Sequence, residues 1–161
     1  MRLIRWVAGF GLAVSAAAYS TALARVVLGL ALRTDQPYMG VWNDIAQFPL
    51  LFALVEWPIT AIVLGIAVIS ANFLNKGRSD PKGWLLTCGL VFTLTSIGIV
   101  AANSLNPFAH GLPISVFDPY SQGWSGPEPL RKVAITIGFC IGGCTAALIY
   151  DWAVRSRRSA V

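Results

Sequence analysis

Two ionisable residues lie deep inside apolar stretches of this 161-residue chain, where their types and spacing could do chemistry. Glu56 follows Phe48 by eight residues. That separation is about 12 Å along a helix, so a membrane-spanning stretch would hold Glu56 inside the hydrocarbon. Arg25 precedes Arg33 by eight residues at the matching depth of the preceding stretch. Charges at this depth are costly unless paired or hydrogen-bonded, so the sequence predicts an intramembrane Arg25–Glu56 pair.

The predicted pair has a functional and a structural interpretation. Intramembrane ionisable residues usually face the bundle interior and mark a functional site. Alternatively, a buried ion pair fixes the helix register, because such pairs add specificity in some proteins and stability only weakly. A proton relay would need more acids at this depth than Glu56 alone. Next to Glu56, Trp57 supplies an indole donor and Pro58 frees the carbonyl of Leu54, which predicts a kink and a polar pocket.

A second candidate site falls in the long polar segment 106–132. Its five prolines exclude a regular helix, and its aromatic residues favour an ordered cap at headgroup level. Loops of this length are often functional. A site in this cap would be built from His110, Asp118, Trp124 and Glu128. No characteristic spacing defines it, and the simpler interpretation of His110 is a surface loop residue.

The remaining chemistry-bearing residues argue against several protein classes. His110 is the only histidine, so paired axial histidines for a haem are missing, and no cluster has zinc spacing. Cys140 and Cys144 lack the two-residue spacing of redox motifs and are interpreted as small packing residues. Phosphate-loop, dinucleotide and nucleophile-elbow motifs are absent from the sequence. The sequence therefore predicts no metal and no cofactor, and it favours a non-enzyme without deciding the question.

Long apolar runs must position these residues. Hydrophobic residues make up 56% of the chain and charged residues 12%, against about 25% charged in a soluble domain. We predict an all-α single membrane domain, residues 1–161, built as a bundle of four transmembrane helices. The first run resembles a signal peptide ending at Ala24, but its apolar character continues through Leu32 and favours an uncleaved span. The predicted spans are about 3–32, 48–71, 84–105 and 133–154, with an outer cap loop over 106–132.

Small residues recur at intervals of four in the first and fourth spans. This spacing places them on one face of a helix, where they let another backbone approach closely. The face on the first span leads to Arg25 and is expected to pack against a neighbouring helix. The predicted helix-packing residues are Gly9, Ala13, Ala17, Gly138 and Gly142.

Basic residues flank the apolar runs and indicate the orientation. With four spans, eight basic residues lie on the side of both termini and three on the other side. This asymmetry favours cytoplasmic termini and an outward cap in a multi-pass protein of the cell membrane, and we expect this membrane to be the inner membrane of a bacterium. The eight are Arg2, Arg5, Lys76, Arg78, Lys82, Arg155, Arg157 and Arg158; the three are Arg33, Arg131 and Lys132.

Three functional hypotheses follow from these observations. The leading one is a non-catalytic subunit or partner-binding protein of a larger membrane complex, because no catalytic constellation accompanies the small-residue helix faces. The second is a small oligomeric transporter or channel lined by Arg25 and Glu56. The third is a membrane enzyme acting on a lipid or quinone at the cap. Expected partners are the lipid bilayer and other membrane subunits or copies of the chain, and no basic stripe suggests nucleic acid.

Overall fold

A computed structural model describes residues 2–32, 40–76, 80–105 and 128–155 of the chain. Those ranges hold no strand, and each of their four helices is long and apolar enough to cross a membrane. The predicted all-helical architecture with four membrane-length helices is therefore confirmed. The helices are α1 (Arg2–Ala31), α2 (Val41–Leu74), α3 (Pro81–Leu105) and α4 (Glu128–Tyr150), and α4 continues into a π-helical turn, Asp151–Arg155.

The four helices form a ring in chain order, so that α4 closes against α1. The α1–α4 contact is the most extensive, while α2 and α4 lie on a diagonal and scarcely touch. Close approach is possible because the buried side chains between helices are largely alanine and valine. Larger core residues, among them Trp84, Phe92 and Tyr150, fill the space between α3 and α4.

The second helix begins earlier than predicted. It starts at Val41 instead of residue 48, directly after Gly40, whose φ of 99° most other residues avoid. Pro49, which the predicted start at residue 48 would place in the first turn, therefore lies inside α2, and the helix continues through Pro58 as well. Asp44, expected in a loop, is buried in the first helical turn, where a negative charge complements the helix dipole.

The fourth helix also begins earlier than predicted. It starts at Glu128, so residues 128–132 belong to α4 and not to the cap loop. Pro129 occupies the first turn of α4, where its missing N–H leaves no helical hydrogen bond unmade. Glu128 is thus a helix residue, whereas His110, Asp118 and Trp124 lie outside the described residues.

Asp80 caps the start of α3. Its two carboxylate oxygens accept hydrogen bonds from the backbone N–H groups of Lys82, at 3.0 Å, and Gly83, at 3.2 Å. We expect Asp80→Ala to lower the free energy of unfolding by about 1 kcal/mol, because these N–H groups lose their acceptor. Unfolding by SDS in mixed micelles, followed by circular dichroism, measures the change. Asp80→Asn keeps an acceptor and should unfold like the parent, and equal losses in both variants would contradict the capping role.

Candidate functional site around the intramembrane ion pair

Arg25 of α1 and Glu56 of α2 meet inside the bundle. The Nη1 group of Arg25 donates a hydrogen bond of 2.8 Å to Oε1 of Glu56. The side chains are 3% and 1% exposed. This distance is typical of a charge-assisted hydrogen bond between ionised groups. The two charges that the sequence places at a common depth therefore lie in direct contact, enclosed by helices.

The fourth helix also positions the arginine. A Cβ atom added at Gly138 of α4 would stand 2.6 Å from Cγ of Arg25 and 3.2 Å from the carbonyl oxygen of Thr21. The aliphatic part of Arg25 thus occupies the space that a side chain at Gly138 would need. Phe139 follows, with its ring centroid 5.9 Å from the guanidinium carbon, within the range of a cation–π contact. The site is therefore built by three helices.

The small residues of α1 face α4. A Cβ at Gly9 would lie 2.8 Å from Cγ2 of Val154, and Ala13 and Ala17 are fully buried. A Cβ at Gly142 would collide with the hydroxyl oxygen of Thr21 and lie 3.1 Å from the carbonyl oxygen of Ala17. The glycines of α4 thus fit against the small-residue face of α1, which brings the two backbones close together.

The hydroxyl groups of Thr60 and Thr93 are held by the helix backbone, whereas those of Thr21 and Ser96 are buried without a partner among the described residues. The hydroxyl of Thr60 donates to the carbonyl of Glu56 at 2.9 Å, and that of Thr93 donates to the carbonyl of Gly89 at 2.8 Å. Thr93 also lies 3.5 Å from the carbonyl oxygen of Phe139. The Thr60 and Thr93 hydroxyls therefore satisfy their hydrogen bonds within the bundle.

Trp57 and Pro58 turn away from Glu56. Both are exposed, and the indole N–H of Trp57 donates to Oγ of Ser15 at 3.0 Å on the outside of the bundle. Successive residues of a helix point about 100° apart, so inward Glu56 is followed by outward Trp57. Trp57 and Pro58 therefore do not share a pocket with Glu56, contrary to the prediction from the sequence.

Two of the three cysteines lie on the outer surface. Cys140 and Cys144 are exposed on α4, whereas Cys88 is buried between helices. Their interpretation as packing residues is therefore wrong for a single copy of the chain, because the inward face of α4 is occupied by Gly138 and Gly142. Within the described ranges, His, Cys, Asp and Glu form no group of three that could bind a metal ion.

A second polar cluster lies at the end of the bundle where α2 and α4 end and α3 begins. Trp84 is 1% exposed and stacks on Tyr150 with 5.7 Å between ring centroids. Its indole N–H donates to Oδ1 of Asn72 at 3.0 Å. The guanidinium carbon of Arg155 lies 4.6 Å from the Trp84 ring centroid, and Nη1 of Arg155 lies 3.4 Å from Oδ1 of Asp151. This cluster ties the ends of α2, α3 and α4 together.

Sequence reasoning missed two buried residues. Phe139 lies beside the Arg25 guanidinium, and Asp44 lies in the first turn of α2. Phe139 follows Gly138 directly, so the small-residue face of α4 was the available signal. The chain matches no protein-family model, no curated protein and no solved structure at significant similarity. What the Arg25–Glu56 pair does must therefore be inferred from the geometry of this chain.

Proposed function

We propose that this chain is a non-catalytic, multi-pass membrane protein that serves as a subunit or partner-binding protein of a larger membrane complex. In this proposal the Arg25–Glu56 pair fixes the register of the helices. The enclosure of both charges carries the proposal: a reactive or substrate-binding group needs access, and these two side chains are 3% and 1% exposed. A buried pair that reaches across helices is suited to specifying one packing arrangement.

The packing around Arg25 favours this role over transport through a single copy. A path would require the charges to line a space that a solute can enter. Here the guanidinium contacts the Glu56 carboxylate and lies over the Phe139 ring, and its aliphatic stem fills the gap at Gly138. Movement of a solute past the pair would require α4 to leave α1.

The lengths of the helices support a partner-binding role. α2 has 34 residues and α1 has 30. These lengths correspond to about 51 and 45 Å, whereas the hydrocarbon core of a bilayer is about 30 Å thick. Part of each helix therefore projects beyond the hydrocarbon or tilts within it. Trp42 near the start of α2 is 84% exposed and offers an aromatic side chain to a partner at this end.

The proposed orientation has both termini in the cytoplasm, in the inner membrane of a bacterium. It is supported by the eight basic residues on the side of the termini against three on the other side. The segment 106–127 and the start of α2 would then face outward. Trp84 and Arg155 would lie at the cytoplasmic end of the bundle.

Purification from native membranes tests the proposed role. We expect the tagged chain, extracted in mild detergent, to bring down one or a few membrane proteins in fixed ratio. A variant with Arg25→Met and Glu56→Leu should bring down the same proteins, because the pair is structural in this proposal. Recovery of the chain alone would contradict the role. Solute flux in liposomes that is lost in Glu56→Gln, while the variant stays folded, would support the transport hypothesis instead.

A further inference from the structure

The outward surface between α1 and α2 carries polar side chains at the middle of the membrane. The α1 span, Leu3–Ala31, has its midpoint at Ala17, and Ser15 and Tyr19 each lie two residues from it. Two residues correspond to about 3 Å along a helix. Ser15 is exposed, and Tyr19 is 41% exposed. Trp57, also exposed, lies at the midpoint of the Val41–Leu74 span. We call Ser15, Tyr19 and Trp57 the mid-bilayer polar patch.

This depth is unfavourable for the patch if lipid covers it. Tyrosine and tryptophan are enriched at membrane interfaces, where the polar end of the side chain meets water. The patch lies about 15 Å from either edge of a hydrocarbon core roughly 30 Å thick, beyond the reach of these side chains. Ser15 accepts the indole N–H of Trp57 and donates to the carbonyl of Gly11 at 2.9 Å. The described part of the chain supplies no hydrogen-bond partner for the Tyr19 hydroxyl.

The shape of the same surface admits another helix. A Cβ added at Gly11 would meet no atom within 4 Å, whereas Cβ atoms at Gly138 and Gly142 would collide with α1. Gly11 and Ser15 are four residues apart on the outward face and form a pair of small residues, as is typical of close helix contacts in membranes. Gly11 therefore provides room for a backbone on the same helix face that carries Ser15 and, one turn further on, Tyr19.

We infer that a second copy of the chain occupies this surface, with α1 packed against α1 about a twofold axis along the membrane normal. The inference goes beyond the proposed function, because this interface joins two copies of the chain whether or not other membrane proteins bind them. Two copies inserted in the same orientation present the same residues at the same depth, as a twofold interface requires. A hydroxyl both donates and accepts, so Tyr19 of one copy can bond Ser15 or Tyr19 of the other. The patch carries no charge, so identical surfaces do not repel each other.

Disulfide cross-linking in liposomes tests the position of the interface. In a background with Cys88, Cys140 and Cys144 changed to alanine, Ser15→Cys should form a covalent dimer on oxidation. Leu94→Cys is the matched control, because Leu94 is 59% exposed near the middle of the α3 span. We expect no dimer above background from Leu94→Cys. Equal cross-linking of both variants, or none from Ser15→Cys, would overturn the inference.

Dilution in lipid, monitored by energy transfer between labelled copies, tests the contacts. Tyr19→Phe should weaken the dimer about three- to tenfold, as expected for a hydrogen bond between membrane helices. Gly11→Leu should abolish energy transfer, whereas Gly98→Leu, at a glycine that also has open space on α3, should not change it. Unchanged affinity in both α1 variants would overturn the inference.

The two proposals fail in different ways. A pure chain that stays monomeric at every lipid dilution, while Ser15→Cys cross-links to a different protein in native membranes, would overturn the second copy and leave the partner-binding role intact. A dimer that forms in pure lipid, while native membranes yield no other protein, would support the α1–α1 interface and contradict membership of a larger complex.

Discussion

Glu56→Leu is expected to lower the free energy of unfolding by about 3–5 kcal/mol, because it leaves the Arg25 guanidinium buried without its carboxylate. The guanidinium cannot lose its charge by releasing a proton, and the Arg25 side chain is 3% exposed. Arg25→Met should be less damaging, because a lone carboxyl group at Glu56 can take up a proton and become neutral. The two single variants are therefore expected to differ although they break the same contact.

The double variant Arg25→Met with Glu56→Leu tests whether the pair fixes the helix packing or also adds stability. Replacing a buried ion pair by apolar residues of similar volume is often neutral or stabilising. We expect the double variant to recover most of the stability that Glu56→Leu loses. Equilibrium unfolding in mixed micelles, repeated by steric trapping in bilayers, measures all three variants. A double variant as unstable as Glu56→Leu would show that the pair contributes more than mutual neutralisation.

The second large effect is expected at Gly142. Gly142→Leu should destabilise the bundle by about 3 kcal/mol, because it forces extra atoms into a closely packed helix contact. A Cβ alone would already collide with the Thr21 hydroxyl and approach the Ala17 carbonyl oxygen to 3.1 Å. The destabilisation caused by the smaller change Gly142→Ala should be partly relieved by Thr21→Ala in the same chain. A double-mutant cycle measures this coupling, which is nonzero only if the two residues touch.

Gly98→Leu is the matched control for this prediction. Gly98 lies inside α3, like Gly142 inside α4, but a Cβ there meets no atom within 4 Å. Because leucine has a higher helix propensity than glycine, the control should be neutral or slightly stabilising. Equal destabilisation by both substitutions would mean that the loss at Gly142 comes from the helix itself and not from its contact with α1.

The depth of the two charges and the length of the apolar helices could be predicted from the sequence, because both depend on distance along a helix. Arg25 and Glu56 each lie eight residues from the end of an apolar run, which predicts that they share a depth in the membrane. In the structure the two side chains are in contact. The role of α4 could not be predicted in the same way. Gly138 and Arg25 are separated by more than a hundred residues, and no local spacing shows which helix fills a given small-residue face.

Helix starts were misjudged where local signals competed with packing. Pro49 and the polar residues Asn43 and Asp44 suggested a loop followed by a helix start. In the structure Asp44 is buried on α2, and the conformation of Gly40 allows the helix to begin at Val41. The outward direction of Trp57 had a different cause. Helical rotation separates it from Glu56, whereas adjacency in sequence suggested a common pocket.

The ion pair joins the first two helices in chain order, and this has a consequence for biosynthesis. Once α2 has emerged from the ribosome, Arg25 and Glu56 can neutralise each other within a single α1–α2 hairpin. Either helix alone would carry into the bilayer a charge whose insertion penalty at a helix centre is about 2.5–3.5 kcal/mol. The two charges buried between α1 and α2 can therefore enter the bilayer as a neutralised pair. Since Gly138 presents no side chain to Arg25, α4 can join later without displacing the guanidinium from its carboxylate.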